Sequence, residues 1–364
     1  MHTGFVKYFF PLYLLMFMAP RSVLSHRPES GFSVLPSLPD TKGFAGMYAG
    51  VSNQVLFCMG GTNFPGKTPD EGGKKMWYDD IYMLKPGGNW KKIVAKLPSA
   101  MAHGVSATYK NEIFLAGGCS HDGHISSVYG FRWENDSAII RAYPDLPVPL
   151  ANMSGAITGN LLILAGGNSS PGGVALRKCF GLDLEQRSGG WLELPAWPGP
   201  ERILPACTGF AGKFYLFSGE RKAINANKNP YRQILQDAFC FTASVKNGKW
   251  SGSWSRLRMM PKGFSAVGNP LPVIDQQAIL FWGGIDPVTA LHKGSENHPG
   301  IPEEILLYFP ETDHWKLFGK TSGFPPRVTL PVVYWNHQWV YVNGETRPGI
   351  RTNTVIGISL NHFV

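Results

Sequence analysis

An apolar run ending in a glycine pair recurs along the chain, and nothing else restricts the fold as much. It stands as Val55-Leu56-Phe57-Cys58-Met59-Gly60-Gly61, Ile113-Phe114-Leu115-Ala116-Gly117-Gly118, Leu162-Ile163-Leu164-Ala165-Gly166-Gly167 and Ile279-Leu280-Phe281-Trp282-Gly283-Gly284. Two variants share the phase: Phe214-Tyr215-Leu216-Phe217-Ser218-Gly219-Glu220 and Val340-Tyr341-Val342-Asn343-Gly344-Glu345. Six units at roughly 45 to 60 residues are the mark of a repeat architecture, in which each unit buries its apolar faces only against neighbours.

Every unit has the makings of four antiparallel strands. A strand rich in small residues, such as Gly104-Val105-Ser106-Ala107-Thr108, precedes the glycine-ending run, and a tight turn such as Ala211-Gly212-Lys213 joins the two. A third strand follows, as in Asp80-Ile81-Tyr82-Met83-Leu84, and a fourth starts near a tryptophan and ends at proline, as from Trp90 to Pro98. The expected fold is therefore all-β, a six-bladed propeller of the kelch type. The last unit runs out of chain after its third strand, Thr354 to Ser359. Residues 32–39, Phe32 to Pro39, have the character of the missing strand, so they are expected to complete the final blade and close the ring, removing an exposed edge.

Composition agrees: 43 Gly, 29 Pro and 13% aromatic residues suit short strands and tight turns. The formal charge of +9 comes from scattered Lys and Arg with no basic run. Nucleic acid is therefore not the expected partner, and an acidic small molecule fits better. Lys7 followed by the apolar stretch Tyr8 to Met18, with Val23-Leu24-Ser25 after it, reads as a processing signal over residues 1–25 that is too short to span a membrane comfortably. The mature chain, residues 26–364, is then one propeller without a membrane span, periplasmic or secreted. Cys58, Cys119, Cys179, Cys207 and Cys240 have no zinc-ligand spacing and read as buried small hydrophobes.

Units four and six draw attention at the glycine pair, where Glu220 and Glu345 are read as standing in place of the second glycine, each close to basic residues. In the last unit Arg347 and Arg351 follow within six residues, a density of chemistry that marks Trp339 to Thr352 as the candidate active site. The alternative is a solvated turn with a surface ion pair, contributing under ~1 kcal/mol. Further cleft candidates are the residues at the starts of first strands: Lys42, His103, Asn152, Arg202, Lys262 and Arg327. Asn63 and Glu71, in the loop after the first glycine pair, are expected to cover the site.

The segment Asn343-Gly344-Glu345-Thr346-Arg347-Pro348-Gly349-Ile350-Arg351-Thr352 resembles the Asn-Gly-Glu-x-Lys-Pro-Gly-x-Arg-Thr signature of the N-acetylneuraminate epimerases. The segment from Gly43 to Leu84 is similar to the part that follows that signature in the family, so this chain resembles a cyclically permuted branch. The resemblance implies a six-bladed propeller that interconverts the anomers of sialic acid. It also implies Glu345 as proton acceptor, with Arg351 beside it in the central cleft. Two departures, the shorter loop between Gly61 and Lys74 and arginine in place of lysine at Arg347, leave the sugar specificity open.

Ring opening of a hemiketal needs a base for the anomeric hydroxyl and an acid for the ring oxygen, and Glu345 is assigned as the base, with no metal or other cofactor. The substrate carboxylate calls for a fixed cation with paired donors, a role given to Arg351, with Arg347, Arg202, Arg327, His103, Asn63 and Glu71 as binding candidates. The main alternative is an exported propeller that only binds carbohydrate or protein. A copper oxidase is disfavoured, because the histidines show no grouping with Tyr and Cys.

Overall fold

The computed structural model describes residues 1–2, 31–224, 228–246, 249–292 and 294–359. The processing signal expected over residues 1–25 falls outside them, apart from Met1 and His2. Six four-stranded antiparallel sheets form the blades of a propeller. The first blade runs Tyr48–Ser52, Val55–Met59, Asp80–Leu84 and Lys91–Lys96, and the next four repeat the order. The sixth takes Val332–Trp335, Gln338–Val342 and Val355–Ser359 from the end of the sequence and Phe32–Leu35 from its start. Phe32 pairs with Ile358 and Leu35 with Val355, so the closing strand lies where the missing repeat strand required it.

The apolar runs became second strands because every residue of a run such as Val55–Met59 is buried, facing one neighbouring blade or the other. Six apolar clusters result among the described residues, each spanning one blade interface. One joins Leu56 and Leu84 of the first blade to Val340 and Val355 of the sixth, so the ring is closed by core as well as by hydrogen bonds. The tryptophans near the fourth strands add a periodic latch. Trp90 donates to the carbonyl of Pro36, Trp191 to Pro144, Trp254 to Pro195 and Trp315 to Arg258, each acceptor lying just after the last strand of the preceding blade. All five cysteines are buried and unpaired.

At the axis a closed circle of backbone hydrogen bonds forms a neck. His103 N–H donates to Gly46, Asn152 to His103, Leu204 to Asn152, Ala266 to Leu204, Thr329 to Ala266, and Gly46 to Thr329, at 2.7–3.1 Å. All six residues hold positive φ, 51° to 64°, although only one is glycine. Left-handed backbone costs a residue with Cβ roughly 1–2 kcal/mol. The circle offsets that by giving every inward amide an acceptor. The axial cavity at this level is only ≈ 70 Å³, so the neck is the floor of the mouth above it.

Candidate functional site

One residue ahead of each neck position, the chain bridges to a second tier made by Thr62, Cys119, Asn168, Glu220, Ile285 and Glu345. This corrects the register read from the sequence. All six second glycines are kept, at φ 90° to 111°, and Glu220 and Glu345 are the residues after them. The first glycine is what the two variant units lose, to Ser218 and Asn343, small polar residues that hold φ of 49° and 59°. A Cβ on Gly344 would meet the Val328 carbonyl oxygen at 2.8 Å, which is why that position tolerates no side chain. The glutamates thus face the mouth as a consequence of tier position.

After the tier the last unit turns into a short hairpin, Glu345–Arg347 with Ile350–Arg351, in which Glu345 and Arg351 are directly opposite. Arg351 Nη2 is 3.0 Å from Glu345 Oε1, and the Gly349 amide donates to the same oxygen at 3.2 Å. Glu345 Oε2 has no hydrogen-bond partner among the described residues. The Arg351 side chain is 6% exposed, its guanidinium lies 4.6 Å from the centre of the Phe64 ring, and its Nε and Nη1 are buried without an acceptor. Burial lowers the Arg351 pKa, against the pull of Glu345. Leaving buried guanidinium donors unsatisfied is costly, and Nη1, a terminal nitrogen, is open to an anionic acceptor.

Lys75 comes to the same place from the loop after the first blade's tier residue. Its Nζ is 3.1 Å from His103 Nε2 and 5.0 Å from the centre of the Trp77 ring, and no carboxylate pairs with it among the described residues. Burial, and then Arg351, lower its pKa, while Cys119 and Glu345 act the other way. His103 Nε2 is also 3.3 Å from Thr62 Oγ1, and burial, Lys75 and Arg351 hold the ring well below the usual histidine range, so it is neutral at pH 7. The Lys75 ammonium donates, and Nε2 accepts.

On its other side Glu345 borders a cavity of ≈ 360 Å³ lined also by Arg232, His298, Ile301 and Arg347. That volume lies in the range of small-molecule sites. Arg232 reaches it from the hairpin Glu220–Ile224 and Pro230–Ile234, its Nε and Nη2 donating to the two carboxylate oxygens of Glu220 at 3.0 and 2.5 Å. Glu220 also accepts from Ser265 Oγ at 2.6 Å, so this second glutamate is fully engaged in holding an arginine.

Several predicted residues have other work. Arg202 is fully buried and spends its guanidinium on Asp237, on the Ser218 and Pro200 carbonyls and on the Trp197 ring. Arg327, 1% exposed, donates to the carbonyls of Asn343 and Thr354, and burial pushes its pKa down to about 10. Both precede the neck residues Leu204 and Thr329 by two positions, which is why counting from the start of each repeat pointed to them. Neither offers a group to the mouth. Lys42 is exposed, and Lys262 pairs with Asp286 at 2.6 Å.

Asn63 donates to the Gly43 carbonyl and accepts from Tyr78, fixing the loop base. Glu71 caps the turn Pro69–Glu71 through Thr68 and is exposed. His103 and Asn152 are at the neck, and Arg347 is an exposed residue on the rim of the cavity. Sequence reasoning missed Lys75, Phe64 and Arg232. Its one available signal was a lysine two residues before an aromatic in a loop already suspected of covering the site. Among the described residues no three of His, Cys, Asp and Glu converge as a metal-ligand group, and no helix is long and apolar enough to cross a membrane.

A family model described as N-acetylneuraminate epimerase matches residues 33–140 and 143–289. A Haemophilus influenzae (strain 86-028NP) protein named N-acetylneuraminate epimerase is 28% identical over 237 residues, 59% of this chain and 59% of that one. A Yersinia pestis (strain Pestoides F) protein of the same name is 26% identical over 236 residues, 58% of this chain and 56% of its own. A Salmonella enteritidis PT4 (strain P125109) protein of that name reaches 34% identity over 122 residues, 30% of this chain and 31% of its own. The chain thus aligns with well under two thirds of these relatives' length. The solved structure "Structure of YjhT" superposes with a TM-score of 0.66 at 15% identity, covering 90% of this chain and 98% of that one, and shares the fold.

Proposed function

Because the chain belongs to the N-acetylneuraminate epimerase family, we propose that it interconverts the α and β anomers of N-acetylneuraminic acid through the open-chain ketone. The matched residues end at 289, ahead of the Asn343 to Thr352 hairpin. The observation that carries the reading is the Glu345–Arg351 pair, a carboxylate held by one guanidinium nitrogen, Nη2, while Nε and Nη1 have no acceptor among the described residues.

In this scheme Arg351 receives the substrate carboxylate on its unpartnered Nη1 as the Phe64 ring lifts from the guanidinium, giving a buried charge a charge-assisted hydrogen bond. The anomeric carbon is bonded to that carboxylate, so fixing the one places the other near Glu345. Oε2 takes the proton of the anomeric hydroxyl, the bond from the anomeric carbon to the ring oxygen breaks, and the ring oxygen is protonated. Rotation about the bond next to the ketone presents its other face, and closure reverses the transfers. The cavity beside Glu345 holds the N-acyl and polyhydroxyl arms, with Ile301 on its apolar side and Arg232 and Arg347 on its polar side. Export to the periplasm or the medium fits the apolar leader of the sequence, and the blades are of the kelch type.

The test is NMR of anomer exchange in freshly released N-acetylneuraminic acid. The protein should raise the rate above the spontaneous one. Glu345→Gln should return it to the spontaneous rate while the sugar still binds. A wild-type protein that binds without accelerating exchange would instead be a carbohydrate-binding propeller.

A further inference from the structure

A base alone does not complete the reaction: the ring oxygen needs a proton as it leaves the anomeric carbon, and the groups on the Arg351 side of Glu345 differ sharply in their ability to give one. Arg351 stays protonated through the accessible pH range and cannot release its proton. His103 is neutral, and its Nε2, an acceptor towards Lys75, has no proton to give. Cys119 is a weakly acidic buried thiol, which burial makes weaker still. Lys75 alone among these groups is charged, carries transferable protons, and has a neutral partner fixing it in place.

We propose that Lys75, held by His103, is the second proton-transfer group of this site, protonating the ring oxygen as it leaves and recovering that proton when the ring closes. This rests on the anomer-exchange reading above. The steps balance. The anomeric hydroxyl proton goes to Glu345, the electron pair of the breaking carbon–oxygen bond stays on the ring oxygen, and that oxygen takes a proton from Lys75 Nζ. The open ketone then faces a protonated Glu345 and a neutral Lys75 amine. On closure the sugar hydroxyl returns its proton to Lys75 as it attacks, and the carbonyl oxygen takes the proton from Glu345.

The surroundings suit the role. Burial, and after it Arg351, bring the Lys75 pKa below the ordinary lysine value, making its ammonium a stronger acid than an exposed one. The charged or titratable groups facing it are Arg351 and Glu345 from the last hairpin, Cys119 from the second blade's tier and His103 from the neck, with His124 farther off. A lowered pKa has a defined consequence: free enzyme loses the acid as pH rises through it, at a pH below where an exposed lysine titrates.

The experiment compares the full chain with Lys75→Arg and Lys75→Met by NMR exchange from about pH 5 to about pH 10, spontaneous rates subtracted. Each variant's fold is checked by thermal melt, and Lys75→Arg decides if Lys75→Met does not fold. Arginine keeps the charge and gives up no proton. Lys75→Arg should therefore lower kcat about 10²- to 10⁴-fold, change KM only a few-fold, and lose the alkaline limb. A Lys75→Arg enzyme with wild-type kcat and alkaline limb overturns the proposal and leaves a fixed charge. Loss confined to KM also overturns it, as does a borohydride-trapped sugar adduct on Lys75, which would mark a covalent amine. An inactive wild type sinks the anomer-exchange reading itself, a result distinct from any of these.

Discussion

Arg202 and Arg351 are both nearly inaccessible, yet only Arg351 keeps a terminal nitrogen without a partner among the described residues, and the difference lies in where their donors go. Arg202 meets Asp237 through both terminal nitrogens at 2.9 and 2.8 Å and adds two carbonyls, so its charge is consumed inside the fourth blade. Arg202→Met should leave Asp237 as an uncompensated, mostly buried charge and lower the unfolding free energy by roughly 3–5 kcal/mol. Exchange per folded molecule should not change, and denaturant titration beside NMR exchange separates the two. Arg351→Lys removes the fork but keeps a charge, so stability should hold. KM should rise about 10- to 150-fold, the loss of one charge-assisted hydrogen bond of about 1.5–3 kcal/mol. An unchanged KM would take the carboxylate away from Arg351. Sequence alone separated Arg351 by its place in a dense turn. It grouped Arg202 with the mouth because it counted from the start of the repeat, and the neck residue is Leu204, two positions further on.

Three tier positions feed hairpins, at Thr62–Asn63 with Met76–Trp77, at Glu220–Ile224 with Pro230–Ile234, and at Glu345–Arg347 with Ile350–Arg351, and these elements build the walls of the mouth. The loop from Phe64 to Lys75 rests on the last of them. Gly349 has no side chain where Pro69 packs, since a Cβ there would meet Pro69 Cδ at 2.4 Å. Its far end is tied to the fifth blade's loop by Asp70, which accepts from the Ser295 amide and hydroxyl at 2.9 and 2.6 Å. Those two bonds hold the Asp70 carboxyl below its ordinary value, so the tie persists above that range and is lost as pH falls through the lowered pKa. Asp70→Ala should therefore speed hydrogen exchange across residues 66–73 at neutral pH and leave the blade strands and the melting temperature unchanged. Unaltered exchange in the loop would mean that Gly349 and Phe64 hold it unaided. The sequence suggested that this loop covers the site, from Asn63 and Glu71. Of the two loop residues beside Arg351 and His103, Phe64 left no mark in the sequence and Lys75 only its spacing from Trp77, because their placement depends on a crossing between the first and sixth blades.

A ring of blades is held by interfaces of one kind, and the one between the sixth and first blades differs only in being made from both ends of the sequence. That much was legible, because the last unit lacked a fourth strand and an orphan of the right character preceded the first. The structure shows how much the orphan does. Phe32 packs against Trp282 and Phe324 with ring centres 5.0 and 5.3 Å away, the strand pairs with Val355–Ser359, and the Pro36 carbonyl receives the Trp90 latch. Beyond the strand, the Leu38 amide donates to the Asn353 carbonyl and Asn353 Nδ2 donates back to Leu38, two residues from Arg351. Burial of Phe32 alone stabilises by about 2 kcal/mol, and removing the strand exposes a bare sheet edge beside the hairpin that carries the candidate site. A chain beginning at Ser37 should therefore melt at lower temperature, self-associate in size-exclusion chromatography and lose anomer exchange together. A peptide of residues 31–36 added in excess should restore all three by refilling the edge, since what binds only the folded ring stabilises it by mass action. If the shortened chain melts and turns over as the full one does, closure rests on the apolar interface and the pairing at Phe32–Leu35 is dispensable.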